Sequence, residues 1–242
     1  MISIVIFTRD DADWLDRCLG ALRDDPPESE YEVIVFDNAS RDDSADRVRA
    51  WRGANGERAA LLVASEDTSF SAGNNLGLRA AHGDLVLFLN PDTEPRGPVL
   101  DACADVLRRH GDVGLVGPRL VYPDGREQGN GWALPTVRQL VKERLARSPR
   151  EVPATGDLTD VGWLMGCFLM GRASDLRAIG GFDEAFWFHG TDLEICARVH
   201  TDGWRVARVE TVELVHRGHR DWTSKRKAAS RRATAQWLWS RR

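Results

Sequence analysis

The sequence has no apolar run near the roughly 18 residues that a membrane-spanning helix needs; its longest strongly apolar stretch is Leu85–Leu89. It opens directly into the strand-like ISIVIF, without a basic region or a cleavage site, so no secretory signal peptide is expected. Cysteine is scarce: Cys18, Cys103, Cys167 and Cys196 are scattered and form no CxxC pair, which fits reduced, mostly buried thiols in a cytoplasmic protein. Two nucleotide-binding signatures are also missing. The turn after the first apolar run reads TRDDADW rather than GxGxxG, and no GxxxxGK[ST] occurs, so neither a dinucleotide fingerprint nor a P-loop is present. Internal repeats and low-complexity tracts are absent as well.

What remains is an ordinary globular composition. The 242 residues and 27.0 kDa allow one large domain or two small ones, with ample material for a core. A net charge of −4 gives no global attraction to nucleic acid. The charge is unevenly spread: residues 1–50 hold 13 acids against 6 Arg, while residues 216–242 hold 9 Lys and Arg against one Asp. The basic end (Lys225, Arg226, Lys227, Arg231 and Arg232 beside Trp237 and Trp239) suits either a peripheral contact with an anionic membrane or a solvated face.

The first half alternates in period. Ile2–Phe7, Tyr31–Phe36, Ala59–Ala64 and Asp84–Leu89 are predicted strands, and Asp11–Arg23, Asp42–Trp51 and Ser71–Ala81 are predicted helices. This alternation predicts an α/β fold with a mostly parallel sheet covered by helices on both faces, and ligands beyond the C-terminal strand ends. The second half is less regular. Strands are predicted at Val113–Tyr122, Trp163–Met170, Arg205–Val209 and Val212–His216, and helices at Thr136–Arg147, Ala173–Ile179 and Ser224–Ser240, with a loop over Ser148–Asp160.

Two motifs carry chemistry. In GDLVLFLNPDTEP an apolar strand delivers Asn90 and Asp92 to its C-terminal end, with Pro91 stiffening the chain between them. A carboxylate there can hold Mg²⁺ or Mn²⁺, or it can close the strand as an Asx-turn. In GGFDEAFWFHGTDLEICAR, Thr191 and Glu194 read as the two ends of a capping box, placing Asp192 in the first turn of a helix. The positive helix end favours its anion there, as suits a general base for a hydroxyl group. The same stretch can equally be a well-capped helix under a hydrophobic loop. Gly73-Asn74-Asn75-Leu76-Gly77 opens another helix, where backbone could approach a ligand.

The blocks IVIFTRDDADWLDRCLGAL, VIVFDNASRDDS, SAGNNLGLRAAHGDLVLFLNPDTEP, GGFDEAFWFHGTDLEICAR and VHRGH occur in order over about residues 1–220. Together they resemble the inverting family-two glycosyltransferases of the GT-A fold, especially the bacterial rhamnosyltransferase-like branch. The resemblance implies a Rossmann-like nucleotide-binding sheet with a smaller acceptor-side region in one domain, residues 1–242. Residues 1–122 would form its nucleotide-sugar half, 123–220 its acceptor and catalytic half, and 221–242 a basic C-terminal helix.

Carried over by position, Thr8, Arg9 and Asp37 would hold base and ribose, with Gly73, Asn75 and Asn90 completing the nucleotide site. Asp92 would bind a divalent metal, and His216 aligns with a histidine that is a ligand in some relatives. Asp192 would be the catalytic base, with Trp163, Gly166, Trp187 and Glu194 on the acceptor and sugar side and Phe188 as a further apolar platform. Asn90 and Thr191 stand where the wider family has acids. The processive relatives' QxxRW motif is missing, which implies one sugar per encounter. The implied partners are a nucleoside-diphosphate sugar (dTDP-rhamnose or a UDP-sugar) and a glycan, lipid-linked or small-molecule acceptor. Nucleic acid is not among them. Two other classes remain open at this stage, a nucleotidyltransferase and a non-catalytic sugar-nucleotide-binding module.

Overall fold

The computed structural model describes residues 1–55, 59–135 and 151–218. Ten strands join one sheet in the order β3-β2-β1-β4-β9-β6-β10-β5, with β7 paired to β6 and β8 to β10. The first four in chain order are β1 (Ile2–Thr8), β2 (Tyr31–Asp37), β3 (Ala59–Val63) and β4 (Leu85–Leu89), all mutually parallel. Helices α1 (Ala12–Asp24), α2 (Ser44–Asn55) and α3 (Phe70–Ala80) connect them.

Both sheet faces are dry, which is why these strands read as continuous apolar runs rather than alternating ones. Ile2, Ile4, Ile6, Leu85, Leu87 and Leu89 face one cluster with Leu15, Leu19 and Leu22 of α1. Val5, Val86 and Phe88 face a second cluster on the opposite side, with Leu78 of α3. The predicted α/β architecture is therefore present, and the first-half boundaries agree to within a few residues.

The second half departs more from expectation. After the short β5 (Thr93–Glu94) comes α4 (Val99–Arg109), which the sequence reading did not assign although Val99, Leu100, Cys103, Ala104 and Leu107 have helical spacing. β6 (Val113–Val121) is as predicted, and β7 (Glu127–Gln128) and β8 (Leu158–Val161) are additional; β8 begins inside the predicted loop. The strand predicted from Trp163 is instead β9 (Phe168–Arg172), antiparallel to both β4 and β6. Residues 163–167 have the same apolar character but leave the sheet. Then follow α5 (Ala173–Ala178), α6 (Thr191–Thr201) and β10 (Arg205–His216). The two strands predicted at the end are one, with a register shift against β6 between Val209 and Glu213. The helices predicted at Thr136–Arg147 and Ser224–Ser240, and the basic segment 221–242, lie outside the described residues. No helix among the described residues is long and apolar enough to cross a membrane.

Candidate functional site

The C-terminal ends of β1 and β2 bring Thr8 and Asp37 side by side in register. Both are buried, and among the described residues Thr8 Oγ1 and Asp37 Oδ2 have no hydrogen-bond partner. Each such orphan costs about 1–3 kcal/mol, a cost that a ligand donor would remove. The rim around them is built rigidly. Asp37 Oδ1 accepts from Ser40 N at 3.0 Å, Ser40 Oγ accepts from Asp10 N at 3.0 Å, and Asp10 Oδ1 accepts from Arg41 N at 2.6 Å. Asp10 and Ala39 both hold φ of 52°, a strained region for residues with a Cβ.

Arg9 pairs with Asp67, which also accepts from Asn38 Nδ2 at 2.8 Å. The Arg9 hydrogen bond holds the exposed Asp67 carboxyl below its usual range. Asn38, at the strand end that the sequence marks as polar, thus brings in Asp67 from a loop that the sequence does not single out.

Gly73 and Asn75 have geometry of another kind. A Cβ on Gly73 would lie 2.6 Å from the Phe7 ring and 2.8 Å from Phe36, so its smallness lets α3 rest on the sheet. The Asn75 amide donates to Phe182 O (2.9 Å) and Glu184 Oε1 (3.0 Å) and accepts from Phe182 N (2.8 Å). Those contacts turn Asn75 toward the 182–188 loop, while Gly73 serves the packing of α3 on the sheet. Ser71 and Phe70 of the same helix hold that loop at Phe186 O and Trp187 O.

Beyond β4, Asn90 lies at the strand end, its backbone N–H bonded to Cys167 O and its carbonyl capped by Thr93. The pairing of β5 with β10 sets Thr93 opposite His216 and so brings Asp92 to the histidine. His216 Nε2 is 3.4 Å from Asp92 Oδ2, with the side chains 7% and 12% exposed. His216 Nδ1 lies 2.8 Å from Gln128 Oε1. Burial pulls the imidazolium pKa down, but interactions with Cys167 and the Asp92 carboxylate outweigh it and carry it up to about 11.

Arg217 completes the junction. Its N–H donates to Asp92 O at 3.0 Å, its guanidinium grips Glu94 Oε1 at 2.5 and 3.0 Å, and it lies 5.2 Å over the Trp14 ring. Among the described residues no three His, Cys, Asp or Glu side chains group as a metal cage. The Asp92 carboxylate is the kind of oxygen donor a hard cation takes, and with the neighbouring His216 it would leave most of such a cation's shell to phosphate oxygens and water. Such a cation must displace the His216 proton to use its nitrogen.

Asp192 lies in the first turn of α6, but the capping box is not formed. The N-cap is Gly190 at φ 81°, a conformation suited to glycine, and no side chain caps the helix. Thr191 Oγ1 donates to Phe188 O at 3.4 Å. Glu194 binds Arg198 at 2.5 and 2.7 Å, and Arg198 also donates to Ile179 O and Gly181 O, both at 2.6 Å. Glu194 therefore secures, through Arg198, the loop entering the aromatic segment.

Asp192 Oδ1 accepts from Leu193 N at 2.9 Å and Oδ2 from Gly166 N at 3.3 Å. The sequence reading expected the helix end to favour its anion. The structure reverses that: protein packed around the half-buried residue desolvates the carboxylate and raises its pKa, outweighing those two donors.

Gly166 leaves room for this contact; a Cβ there would be 3.3 Å from Asp192 Cβ. Trp163 is half-buried and stacks on Trp132 with centroids 4.3 Å apart, while Phe186 is buried. Trp187 and Phe188 are 59% and 51% exposed, two of the few large apolar side chains open to solvent among the described residues. Sequence reasoning missed Trp132, Gln128 and Asp67. Only their folded neighbours mark them.

Comparison with known proteins adds family context. The pattern of glycosyl transferase family 2 matches residues 3–179, and that of the N-terminal domain of galactosyltransferase matches residues 160–220. The O-antigen biosynthesis protein RfbC of Myxococcus xanthus is 28% identical over 97% of this chain, which spans 18% of that protein. Rhamnosyltransferase WbbL of Escherichia coli is 23% identical over 91% of this chain and 85% of its own length. The chain spans less than half of several other curated relatives. Mannosyltransferase PcManGT from Pyrobaculum calidifontis, solved in complex with GDP-Man and Mn²⁺, superposes with a TM-score of 0.68 at 18% identity, over 99% of this chain and 63% of its own. The fold is the GT-A type that the sequence blocks implied.

Proposed function

The chain belongs to glycosyl transferase family 2, and from that premise we propose that it moves one sugar from a nucleoside-diphosphate sugar to an acceptor hydroxyl with inversion at the anomeric carbon. The observation that carries this reading is the desolvated Asp192 carboxylate, held by Leu193 N and Gly166 N on a helix apart from the nucleotide-side orphans Thr8 and Asp37. A raised pKa makes a carboxylate a better proton acceptor at neutral pH.

Asp192 takes the acceptor proton as the hydroxyl oxygen bonds to the anomeric carbon; the bond to the diphosphate oxygen breaks and its electron pair leaves with the nucleoside diphosphate. Thr8 and Asp37 receive donors of the base or ribose, and the Arg9–Asp67 pair borders that end. Asp92 and His216 would hold a divalent cation, Mg²⁺ or Mn²⁺, whose chemistry is to offset the charge of the leaving diphosphate. A relative named as a rhamnosyltransferase supports rhamnose as the sugar moved, and the proposed donor is dTDP-rhamnose, with a UDP-sugar as the alternative. The basic segment 221–242, with Trp237 and Trp239, suits peripheral contact with a cytoplasmic membrane face that carries a lipid-linked acceptor.

A panel of nucleotide sugars, assayed for nucleoside-diphosphate release with and without Mn²⁺, tests the reading. Turnover of one donor that stops in Asp192→Asn is expected. Pyrophosphate release would indicate a nucleotidyltransferase, and tight binding without turnover a binding module.

A further inference from the structure

The chain from Asn130 to Leu134 is over-determined by its bonds. Asn130 N donates to Glu151 Oε1 (2.9 Å), its amide donates to Pro118 O (2.8 Å), and its Oδ1 accepts from Met165 N (2.9 Å). Buried Arg208 donates to Asn130 O, to Glu151 Oε1 at 3.2 Å and to Val152 O at 3.1 Å. Val152 N donates to Gly131 O at 2.9 Å. Trp132 N donates to Trp163 O at 2.9 Å, and Trp132 O accepts from Gly162 N and Trp163 N at 2.7 and 2.9 Å. Gly162 permits this approach, since a Cβ there would lie 2.1 Å from Leu134 N.

All this rigidity presents an indole that does little for the core. Trp132 is half-buried and joins none of the apolar clusters; its ring stacks on Trp163 at an interplanar angle of 29°. Trp163 in turn packs with Phe186, Leu193 and Ala197, the last two on the helix that carries Asp192. Two residues separate Trp163 from Gly166, the residue bonded to Asp192. That span is at most ~11 Å even when fully extended.

A rigid aromatic face stacked on Trp163, three positions before the residue that bonds the base, is suited to a ligand with an apolar ring face and hydroxyls around its edge. We propose that Trp132, buttressed by Trp163, is a specificity residue that stacks against a sugar ring of the acceptor, so that the acceptor is a glycoside rather than a simple alcohol. This rests on the proposed glycosyl transfer for its meaning, but its test can be read without turnover.

Oligosaccharide methyl glycosides and a linear polyol are offered to wild type, Trp132→Ala and Trp132→Phe, without donor or metal. Binding is followed by saturation-transfer NMR, and thermal unfolding confirms that each variant is folded. Wild type should bind a glycoside through its ring CH protons and ignore the polyol. Trp132→Ala should lose about tenfold in affinity, equal to ~1.4 kcal/mol, with partial recovery in Trp132→Phe. Absence of glycoside binding in wild type, or equal affinity in Trp132→Ala, overturns the inference. A wild type that binds glycosides yet turns over no nucleotide sugar would instead overturn the proposed reaction.

Discussion

The imidazole of His216 and the carboxylate of Asp92 meet across the β5–β10 junction, Nε2 3.4 Å from Oδ2, with Gln128 on the other ring nitrogen. Cys167 and Asp92 push the His216 pKa up to about 11 against the effect of burial, so its contribution to stability is full below about pH 6.5 and fades as pH rises through 11. A cation at this pair competes with that proton. Mg²⁺-dependent nucleotide binding should therefore tighten from pH 7 to 9 in wild type, and isothermal titration should find this slope flattened in His216→Gln. Asp92→Ala should abolish the Mg²⁺ dependence and lower the melting temperature, because it strips a nearly buried cationic ring of its partner. Unchanged metal dependence in Asp92→Ala would remove Asp92 from the cation site.

Thr8 offers a trade between stability and binding. Thr8→Val keeps the shape but deletes an unpaired buried hydroxyl, so the ligand-free protein should gain about 1 kcal/mol. Nucleotide affinity should fall at the same time. A variant that binds nucleotide normally would show that the hydroxyl meets no ligand.

For Asp192 the sign is opposite to that of a salt-bridged carboxylate. Its pKa is raised in the folded state, so its ionisation destabilises the fold as pH climbs from 3.8 through the elevated value. Asp192→Asn should therefore be more stable than wild type at pH 7, with the gap closing in denaturant titrations near pH 3. Its transfer rate should fall ~10²–10⁴-fold while donor binding holds. Normal transfer by this variant would place the base elsewhere.

Glu194 is expected to act through Arg198. Glu194→Gln breaks a bidentate pair whose carboxylate side is 6% exposed, at a cost on the order of 3 kcal/mol. Chemical denaturation should show this loss, and Glu194→Gln/Arg198→Met should recover part of it. A stable single variant with abolished transfer would return Glu194 to the acceptor side.

The nucleotide-side half was legible because strands buried on both faces read as unbroken apolar runs, Ile2–Phe7 and Leu85–Leu89 above all. Asp92 and His216 could be nominated from sequence, but their contact depends on β5 pairing with β10, which two residues of strand do not announce. Trp163–Cys167 matched β9 in composition, and only the packing of Gly166 against Asp192 separates them. Thr191 looked like a cap because sequence does not reveal that Gly190 takes a left-handed conformation and becomes the N-cap itself.

The place of β9 between β4 and β6 has a consequence for synthesis. β3, β2, β1 and β4 can assemble as soon as residues 1–89 leave the ribosome, yet the far edge of β4 has no partner until Phe168–Arg172 emerge. Until then LVLFL is an open apolar strand edge, the kind that recruits other chains. A nascent chain stopped before Phe168 should aggregate through that edge, so the second half of the chain shields the parallel sheet of the first half while the protein is still being made.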